Sequence, residues 1–454
     1  MSAAHRPAAV YAPPQIPLPA AAEDVSGIRK IAFYACLAMV FARFAILPEI
    51  MVLLTGANTY ILYLVGPPAI LGCLVTGGFI KSLRARPVIY WSIFYLFMVA
   101  ATPFSSWPGA SAQKVFGYLR TDLICLYVIA GVVLTWKEVT SMVKALSLSA
   151  FSVLLISRFF ARADAEGRLN LDLGFNGIIS NSNDLAAHIV LLLPFALLPM
   201  LKPGRNVLAR ALMLGSVFFG LWIVLGTSSR GAMLGLFAMA AFFFYRLKGS
   251  QRVLVMIMVP VLGVILLLVL PQANLARLAT LFGSKPDLVE GGYDEAGESM
   301  ATREYLFRQS IKFTLEHPLF GVGPTQFSNF EGLSAKASGE HGSWHETHNT
   351  YTQISSECGI PALIFAVAAL IGVVVAVNKT FKAAAAAHDT EVYNICLCYL
   401  AAMIGYLVTI TFLACAYRFT LPAMIGVGVA ISVAGQKRLA AGGAGVTPLA
   451  SRAA

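Results

Sequence analysis

Residues 357–378 read ECGIPALIFAVAALIGVVVAVN, and this stretch contains no charged residue from Ile360 to Val377. An apolar stretch of about 20 residues can cross a bilayer as a helix, because the helix satisfies every backbone polar group internally. Of the 454 residues, 58% are hydrophobic and only 12% are charged, and the mean hydropathy is +0.75. The sequence therefore predicts an all-α polytopic membrane protein.

Apolar runs of comparable length recur along the chain. They lie at about 31–54, 57–80, 88–104, 118–136, 138–160, 184–201, 209–227, 230–246, 252–270, 357–378, 391–414 and 417–434. Pro48 and Glu49 interrupt the first run, and Pro67-Pro68 lies within the second. Either run could be kinked or re-entrant, because proline removes a backbone donor. We therefore expect about 12 transmembrane helices.

One long polar segment separates the ninth apolar run from the tenth. Charged residues beside a membrane tend to be functional, because burying them is costly. The predicted organisation is a disordered cytoplasmic tail at 1–28, transmembrane helices 1–9 within 29–270, a large loop containing helices at 271–356, transmembrane helices 10–12 within 357–435, and a second tail at 436–454. We expect the chemistry to be located in the large loop.

The distribution of basic residues predicts the orientation of the chain. With twelve helices, one side of the membrane would carry Arg6, Arg29, Lys30, Lys81, Arg84, Arg86, Lys137, Lys144, Lys202, Arg205, Arg210, Arg246, Lys248, Arg252, Lys379, Lys382, Lys437, Arg438 and Arg452. The positive-inside bias makes this side cytoplasmic, together with both termini. The net charge of +11 is thus an orientation signal. No basic run with interleaved aromatic residues indicates nucleic-acid binding.

Arg230 follows two serines at the outer end of two predicted helices, with almost no loop to hold it in water. It could extend to the lipid headgroups as an interfacial arginine. It could equally bind an anion, because a guanidinium offers a fork of donors that fits phosphate oxygens.

The loop contains a second candidate arginine. Residues 299–318 have apolar side chains at mixed helical spacing and end at Pro318, which predicts an amphipathic helix on the membrane side of the loop. Arg303 would stand in its first turn, where a cation opposes the helix dipole. An anionic ligand could compensate for that charge, and so could a salt bridge to Glu304 or Glu298.

Two glycines follow this predicted helix, in the sequence Phe320-Gly321-Val322-Gly323-Pro324. Closely spaced glycines permit positive φ and a nest of N–H groups that can hold an anion. No Gly-Lys-Ser/Thr follows, so this is not a nucleotide-binding phosphate loop. The stretch could also be a simple turn.

Three histidines, His341, His345 and His348, are spaced so that a helix would place them on one face. Zinc is therefore an alternative. Gly339 and Gly342 disfavour a helix there, and HExH is one residue short of the HExxH zinc motif. We therefore predict no metal site. A neutral His348 is better suited to proton transfer or to binding a sugar hydroxyl.

Several of these stretches resemble the O-antigen ligase and O-antigen polymerase superfamily of bacterial surface polysaccharide assembly. The resemblance rests on Arg303 with its helix, residues 317–327 (HPLFGVGPTQF), and His348-Asn349-Thr-Tyr351 followed by Glu357-Cys-Gly359. Residues 181–186 (NSNDLA) and 229–232 (SRGA) also match the superfamily pattern. The second glycine usual after Glu-x-Gly is Ala362 here.

The resemblance implies a GT-C-like glycosyltransferase in the bacterial inner membrane, with its active site on the periplasmic face. The donor would be a glycan on undecaprenyl pyrophosphate. The acceptor would be a sugar hydroxyl of lipid A core for a ligase, or of a lipid-linked repeat unit for a polymerase. No cofactor is implied. Membrane lipids, a chain-length regulator and a flippase are the other partners that we expect.

The resemblance also implies roles for individual residues. Arg230 and Arg303 would hold the pyrophosphate and stabilise the departing charge. His348 would orient or deprotonate the acceptor hydroxyl. The substrate-binding residues would be Asn349, Gly321, Gly323, Asn183 and Arg418.

Two other classes of function remain as alternatives. A transporter or flippase of lipid-linked sugars would need charges along a path through the membrane, and the clearest one there is Arg43. A scaffold protein of a secretion machine would tolerate substitution of the arginines and histidines named above.

Overall fold

Helices make up most of the chain that the structure describes. The computed structural model describes residues 27–164, 167–171, 179–198, 207–246, 252 and 292–444. Its α-helices are α1 (Gly27–Phe44), α2 (Leu47–Thr55), α3 (Ile61–Val75), α4 (Gly78–Ser82), α5 (Arg86–Ala101), α6 (Pro108–Tyr118), α7 (Ile124–Val132), α8 (Trp136–Phe160), α9 (Ser182–Leu197), α10 (Val207–Gly226), α11 (Arg230–Arg246), α12 (Gly292–Glu316), α13 (Phe327–Ala337), α14 (Thr350–Cys358), α15 (Ile360–Ala386), α16 (Thr390–Thr409) and α17 (Thr420–Ala444).

Short irregular elements complete this helical architecture. A π-helix at Leu119–Leu123 joins α6 to α7, and 3-10 turns follow α5 and α16 at Thr102–Phe104 and Ile410–Phe412. Between α8 and α9, two short strands at Arg162–Ala163 and Leu169–Asn170 pair antiparallel.

Several helices are long and apolar enough to cross a membrane. Within the described ranges there are five of these, at Arg86–Phe104, Pro108–Val132, Trp136–Phe160, Ile360–Ala386 and Thr390–Phe412, and a sixth if α1 and α2 form one broken span. Shorter apolar helices lie at Ile61–Val75, Ser182–Leu197 and Arg210–Gly226. The all-α, multi-pass membrane architecture is thus confirmed, whereas the number twelve is not. The predicted run at 252–270 lies almost wholly outside the described residues.

The two proline positions behave differently. The bend of 65° between α1 and α2 falls just before Pro48, and Ile46 there has a φ of 50°. Pro48 then lies in the first turn of α2, where a missing N–H leaves no bond unmade. Pro67 and Pro68 lie inside α3 without dividing it. The first run is therefore broken at its proline, whereas the second is broken after its prolines, between the end of α3 at Val75 and the start of α4 at Gly78.

Ion pairs join the segments that were predicted to be cytoplasmic. Arg29 donates to Glu138 at 2.6 Å, across the starts of α1 and α8. Arg438 pairs with Asp389 and Glu391 at the start of α16, at 2.7 Å each. The pairs of Arg438 join α17 to the start of α16, and α17 extends as far as Ala444, beyond the predicted start of the tail at residue 436. The rest of both tails, 1–26 and 445–454, lies outside the described residues.

The segments predicted to lie on the other side also contact one another. The Ser106 N–H donates to the Val322 carbonyl at 3.0 Å, which ties the end of the α5–α6 connection to the large loop. The Thr350 hydroxyl donates to the Leu413 carbonyl at 2.7 Å, which ties the loop to the α16–α17 connection. The helices thus separate two polar ends, and the candidate residues gather at the second.

Candidate functional site

Arg230 is the first residue of α11, and only residues 227–229 separate it from α10. Ser228 in this turn has a φ of 52°, which is uncommon for a residue with a side chain. The Thr227 carbonyl accepts a hydrogen bond from Arg168 Nε at 3.0 Å. The predicted tight connection is therefore present, and a second arginine braces it.

The same Arg168 connects this turn to the start of α9. Its Nη2 atom donates to Asn183 Oδ1 at 2.9 Å. Asn181 caps α9 by accepting from the Asp184 N–H at 3.0 Å. Asn183, predicted to bind substrate, thus lies at a helix N-terminus within the network that holds the Arg230 turn, and its carbonyl oxygen already accepts from Arg168.

Arg418, the predicted third anion contact, forms an ion pair with Asp184. Its Nη2 atom lies 2.9 Å from Asp184 Oδ2. The Asp184 side chain is 1% exposed and that of Arg418 is 28% exposed. A buried carboxylate needs such a partner, because an uncompensated buried charge is costly. Holding Asp184 is therefore one role of Arg418.

Arg303 lies in the middle of α12, not in its first turn as predicted. The helix begins at Gly292. The sequence before residue 299 has too few apolar residues to reveal this extension. The unfavourable helix-dipole placement therefore does not apply, because that effect is confined to the first turn. Glu304, one of the two carboxylates considered for Arg303, accepts from Arg308 at 2.6 Å.

The side chains of α12 divide into three faces, as expected for an amphipathic helix. Leu306 and Phe313 are fully buried against the loop. Phe307, Ile311 and Leu315 recur every four residues and are exposed. A third, charged face carries the ion pairs Glu304–Arg308 and Lys312–Glu316. This arrangement supports the predicted position of the helix at the membrane surface.

The glycine-rich stretch is a packed turn rather than an open nest. Its N–H groups donate within the protein: Gly321 to the His317 carbonyl, Val322 to Ser356 and Gly323 to Glu357, at 2.8–3.0 Å. Gly321 has a φ of 65°, and a Cβ there would overlap the backbone of Glu357. The donors of the stretch thus have acceptors within the protein, which agrees with the alternative of a simple turn, and substrate binding at Gly321 and Gly323 stays a prediction.

The Glu357 carboxylate secures this turn and was not predicted as a site residue. It accepts from the Thr325 N–H at 2.9 Å and from the Phe327 N–H at 3.3 Å. Burial raises the pKa of the Glu357 carboxyl to about 7, although hydrogen bonds from Tyr417 and the Thr325 backbone oppose the rise. Glu357 thus fastens the large loop to the end of α14.

The histidine segment has no helix, as the glycines predicted. Residues 341–348 run irregularly between α13 and α14. The ring centroids of His345 and His348 are 6.5 Å apart. His348 has a φ of 51°, a conformation that costs energy in residues other than glycine and clusters at functional sites. Asn349, predicted to bind substrate, caps α14 by accepting from the Tyr351 and Thr352 N–H groups at 2.9 and 3.1 Å.

The electrostatic surroundings of His348 connect the separate pieces. Burial, with smaller contributions from Arg303 and His345, lowers its pKa to about 4, and Asp184 opposes this change. The imidazole is therefore neutral at pH 7. Arg303, His348 and the Asp184–Arg418 pair consequently lie at one site, to which the Arg230 turn is joined through Arg168 and Asn183.

No group of three or more His, Cys, Asp or Glu side chains suited to a metal ion occurs among the described residues.

Glu346, which received no predicted role, is exposed beside the site, and its charge interacts with Arg418, Asp184 and Lys114. Lys114 lies 5.7 Å from the Tyr417 ring centroid. Lys114 adds a positive charge from α6 that no motif in the sequence indicated.

Comparison with known protein families gives a match to part of the chain. Residues 215–381 match the family model described as O-antigen ligase. The matched range includes Arg230, Arg303 and His348, whereas Asn183 and Arg418 lie outside it. No curated protein matches the chain. This match covers the segment that contains most of the candidate site, and it agrees with the resemblance to the O-antigen ligase and polymerase superfamily that the sequence motifs indicated.

Proposed function

We propose that this protein is a glycosyltransferase that moves a glycan from undecaprenyl pyrophosphate to a sugar hydroxyl. The reaction takes place at the periplasmic face of the bacterial inner membrane, during assembly of a surface polysaccharide such as O-antigen or exopolysaccharide. The enzyme acts as an O-antigen ligase or polymerase. The fold is GT-C-like, with 12 transmembrane helices and both termini in the cytoplasm.

One observation carries the proposal: a permanently charged guanidinium, Arg303, stands close enough to a neutral His348 to lower its pKa. Transfer from a pyrophosphate requires both kinds of group. A fork of donors binds phosphate oxygens, and a neutral imidazole accepts a hydrogen bond or proton from a hydroxyl. The exposed apolar face of α12 supports the same idea, because it suits a site beside lipid.

In the proposed reaction, the acceptor hydroxyl oxygen attacks the anomeric carbon of the donor sugar. The bond between that carbon and the phosphate oxygen breaks, and its electron pair leaves with undecaprenyl pyrophosphate. Arg303 and Arg230 stabilise the negative charge that develops on the leaving group. His348 orients the hydroxyl and takes its proton.

A pKa of about 4 makes His348 a weak base in the free protein. The donor changes this situation, because its pyrophosphate places negative charge beside Arg303. Negative charge near an imidazole raises the pKa. His348 therefore becomes a stronger base once the donor is bound, so that proton transfer is linked to donor binding.

A transporter or flippase of lipid-linked sugars is the alternative. A transport path would need charged residues that can contact a moving substrate. In the described part of the chain, the charged residues nearest to such a path form ion pairs with each other. Arg43 pairs with Asp122 at 2.9 Å, and Asp184 pairs with Arg418. Paired charges stabilise a packed interior and leave few sites for a moving substrate.

Reconstitution of the purified protein in vesicles tests the proposal. Labelled donor, a glycan on undecaprenyl pyrophosphate, is supplied with lipid A core in one sample and with a second lipid-linked unit in another. We expect a longer glycan and free undecaprenyl pyrophosphate, without nucleotide and in the presence of EDTA. Translocation of the intact donor without formation of a new glycosidic bond would support the transporter instead.

A further inference from the structure

Glu331 lies in α13 and is 1% exposed. Its Oε1 atom accepts from the Tyr305 hydroxyl and from the Ser343 N–H, each at 3.0 Å. Its Oε2 atom accepts from the Trp344 N–H at 2.9 Å. We refer to these four residues as the Glu331 clamp. A carboxylate that accepts several hydrogen bonds holds its donors firmly, because charge-assisted bonds are the strong ones.

The partners of Glu331 are adjacent to the proposed catalytic groups. Tyr305 is two residues after Arg303 on α12, and Trp344 directly precedes His345 in the histidine segment. One buried side chain thus joins the helix of the arginine to the segment of the histidine. Tyr305 is thus held close to Arg303 in the sequence, and Trp344 is held close to His348.

Close packing reinforces this connection. A Cβ on Gly332 would overlap the ring of Trp344, so the helix and the segment touch where Glu331 binds. Trp344 itself has a φ of 55°. A non-glycine residue keeps this conformation only when its surroundings fix it. The N–H groups of Ser343 and Trp344 both donate to the Glu331 carboxylate, and these two hydrogen bonds fix the conformation of Trp344.

We propose that Glu331 is a positioning residue, which sets the relative placement of Arg303 and His348 without touching the substrate. The inference rests on the proposed function, because it concerns the same site. Placement matters for rate, since an error of about 1 Å can cost about a hundredfold. No sequence motif indicates Glu331, because two of its three partners are backbone groups.

Glu331→Gln is the most direct test. Glutamine keeps one acceptor oxygen but turns an NH₂ group toward an N–H donor, so at least one bond is lost. Tyr305→Phe is the second variant and removes only the link to α12. Glu340→Gln is the matched control, because Glu340 is exposed and lies between α13 and the histidine segment.

Hydrogen–deuterium exchange of the purified full-length protein in detergent reports on the backbone hydrogen bonds of the Glu331 clamp, and it needs no substrate. In Glu331→Gln, the peptide covering 341–345 should exchange about tenfold faster, as expected for the loss of a hydrogen bond. In Tyr305→Phe and Glu340→Gln, its exchange should match that of the wild type. Unchanged exchange in Glu331→Gln would refute the clamp, whatever the protein catalyses.

The transfer assay in vesicles measures its consequence. Glu331→Gln should lower kcat about a hundredfold. In addition, the acid limb of kcat/KM should move upward from about pH 4, because the charge of Arg303 is no longer held beside His348. If Glu331→Gln only reduced the amount of folded protein, the rate would fall but the acid limb of kcat/KM would stay near pH 4. That result would overturn the positioning role. If Arg303→Ala and His348→Ala retain full transfer, the proposed function fails, and the exchange measurement still decides on the clamp.

Discussion

Arg418 and Asp184 form an ion pair of 2.9 Å that joins residues 234 positions apart in the sequence. It fixes the segment before α17 against the N-terminus of α9, beside the capping residue Asn181. The buried Asp184 carboxylate thus has a charged partner at the point where the starts of α9 and α17 meet the candidate site. This ion pair therefore helps to fix the positions of the backbone segments around the candidate site.

Substituting Arg418 should therefore impair folding before it impairs chemistry. Removing one partner of a buried pair typically costs about 3–5 kcal/mol, because the other charge is left uncompensated. We expect Arg418→Ala to lower the thermal midpoint and the membrane level of the protein. The double variant Asp184→Asn/Arg418→Gln, which leaves no lone charge, should recover much of that loss. An Arg418→Ala protein of normal stability that binds donor weakly would instead assign Arg418 to the substrate.

Arg303, Arg230 and His348 should each be required for transfer. Loss of a positioned donor or of a general base costs about a hundred- to a thousandfold in rate. We expect Arg230→Ala, Arg303→Ala and His348→Ala to abolish the polymer ladder in a deletion strain, at normal protein levels. Arg303→Lys should restore little, because an ammonium is a point charge and cannot reproduce the fork.

Two matched controls lie close to these residues. Arg308→Ala removes an exposed arginine from the same helix, one engaged only with Glu304 among the ion pairs found. It should leave the ladder intact. His345→Ala removes the neighbouring imidazole and should be milder than His348→Ala. Near-normal ladders from both Arg303→Ala and His348→Ala would refute the mechanism.

The pH dependence of transfer should follow His348. Its pKa of about 4 lies below the ordinary value of 6.5, so the free protein keeps a neutral imidazole until the pH falls toward 4. We expect the acid limb of kcat/KM near pH 4, because kcat/KM reports the free enzyme. The acid limb of kcat should lie at higher pH, because bound pyrophosphate raises the pKa. A kcat/KM limb at 6.5 or above would contradict this assignment.

The orientation of the chain can be tested with reporter fusions. The positive-inside bias predicts that a reporter after Ser334 behaves as periplasmic and one after Lys248 as cytoplasmic. The ion pairs of Arg29 with Glu138 and of Arg438 with Asp389 agree with one shared basic end. A cytoplasmic signal at Ser334 would place the site away from the proposed donor.

The apolar pattern predicted the helices well where length and hydrophobicity agree. The runs at 138–160 and 230–246 correspond to α8 and α11 within about two residues. The start of α12 was missed, because residues 292–299 include two glycines and three acidic residues. Pro67 and Pro68 did not locate the break in the second run, because α3 continues through them and ends only at Val75.

The site could be predicted only as far as residue types indicate chemistry. Arg303 and His348 were found because a guanidinium and an imidazole suit a pyrophosphate and a hydroxyl. Glu331 and Glu357 were missed, because most of their partners are backbone N–H groups, which leave no sequence signal. The sequence left the glycine stretch open between an anion nest and a simple turn for a related reason: two of its donors bind carbonyls that lie far along the chain, at Ser356 and Glu357.

Glu357 should make the stability of the protein depend on pH. Its pKa is about 7 in the folded protein and 4.5 in an unfolded chain, so the folded state binds more protons between these values. Stability therefore falls as the pH rises from about 4.5 to 7, by about 3 kcal/mol from this group alone. The wild-type protein should accordingly have a higher thermal midpoint near pH 5 than near pH 8, and Glu357→Gln should flatten that difference. Glu340→Gln, on the exposed surface, should keep the wild-type profile. A Glu357→Gln protein with the full pH dependence would show that other groups cause it, and that Glu357 is ionised at little cost beside the N–H groups of Thr325 and Phe327.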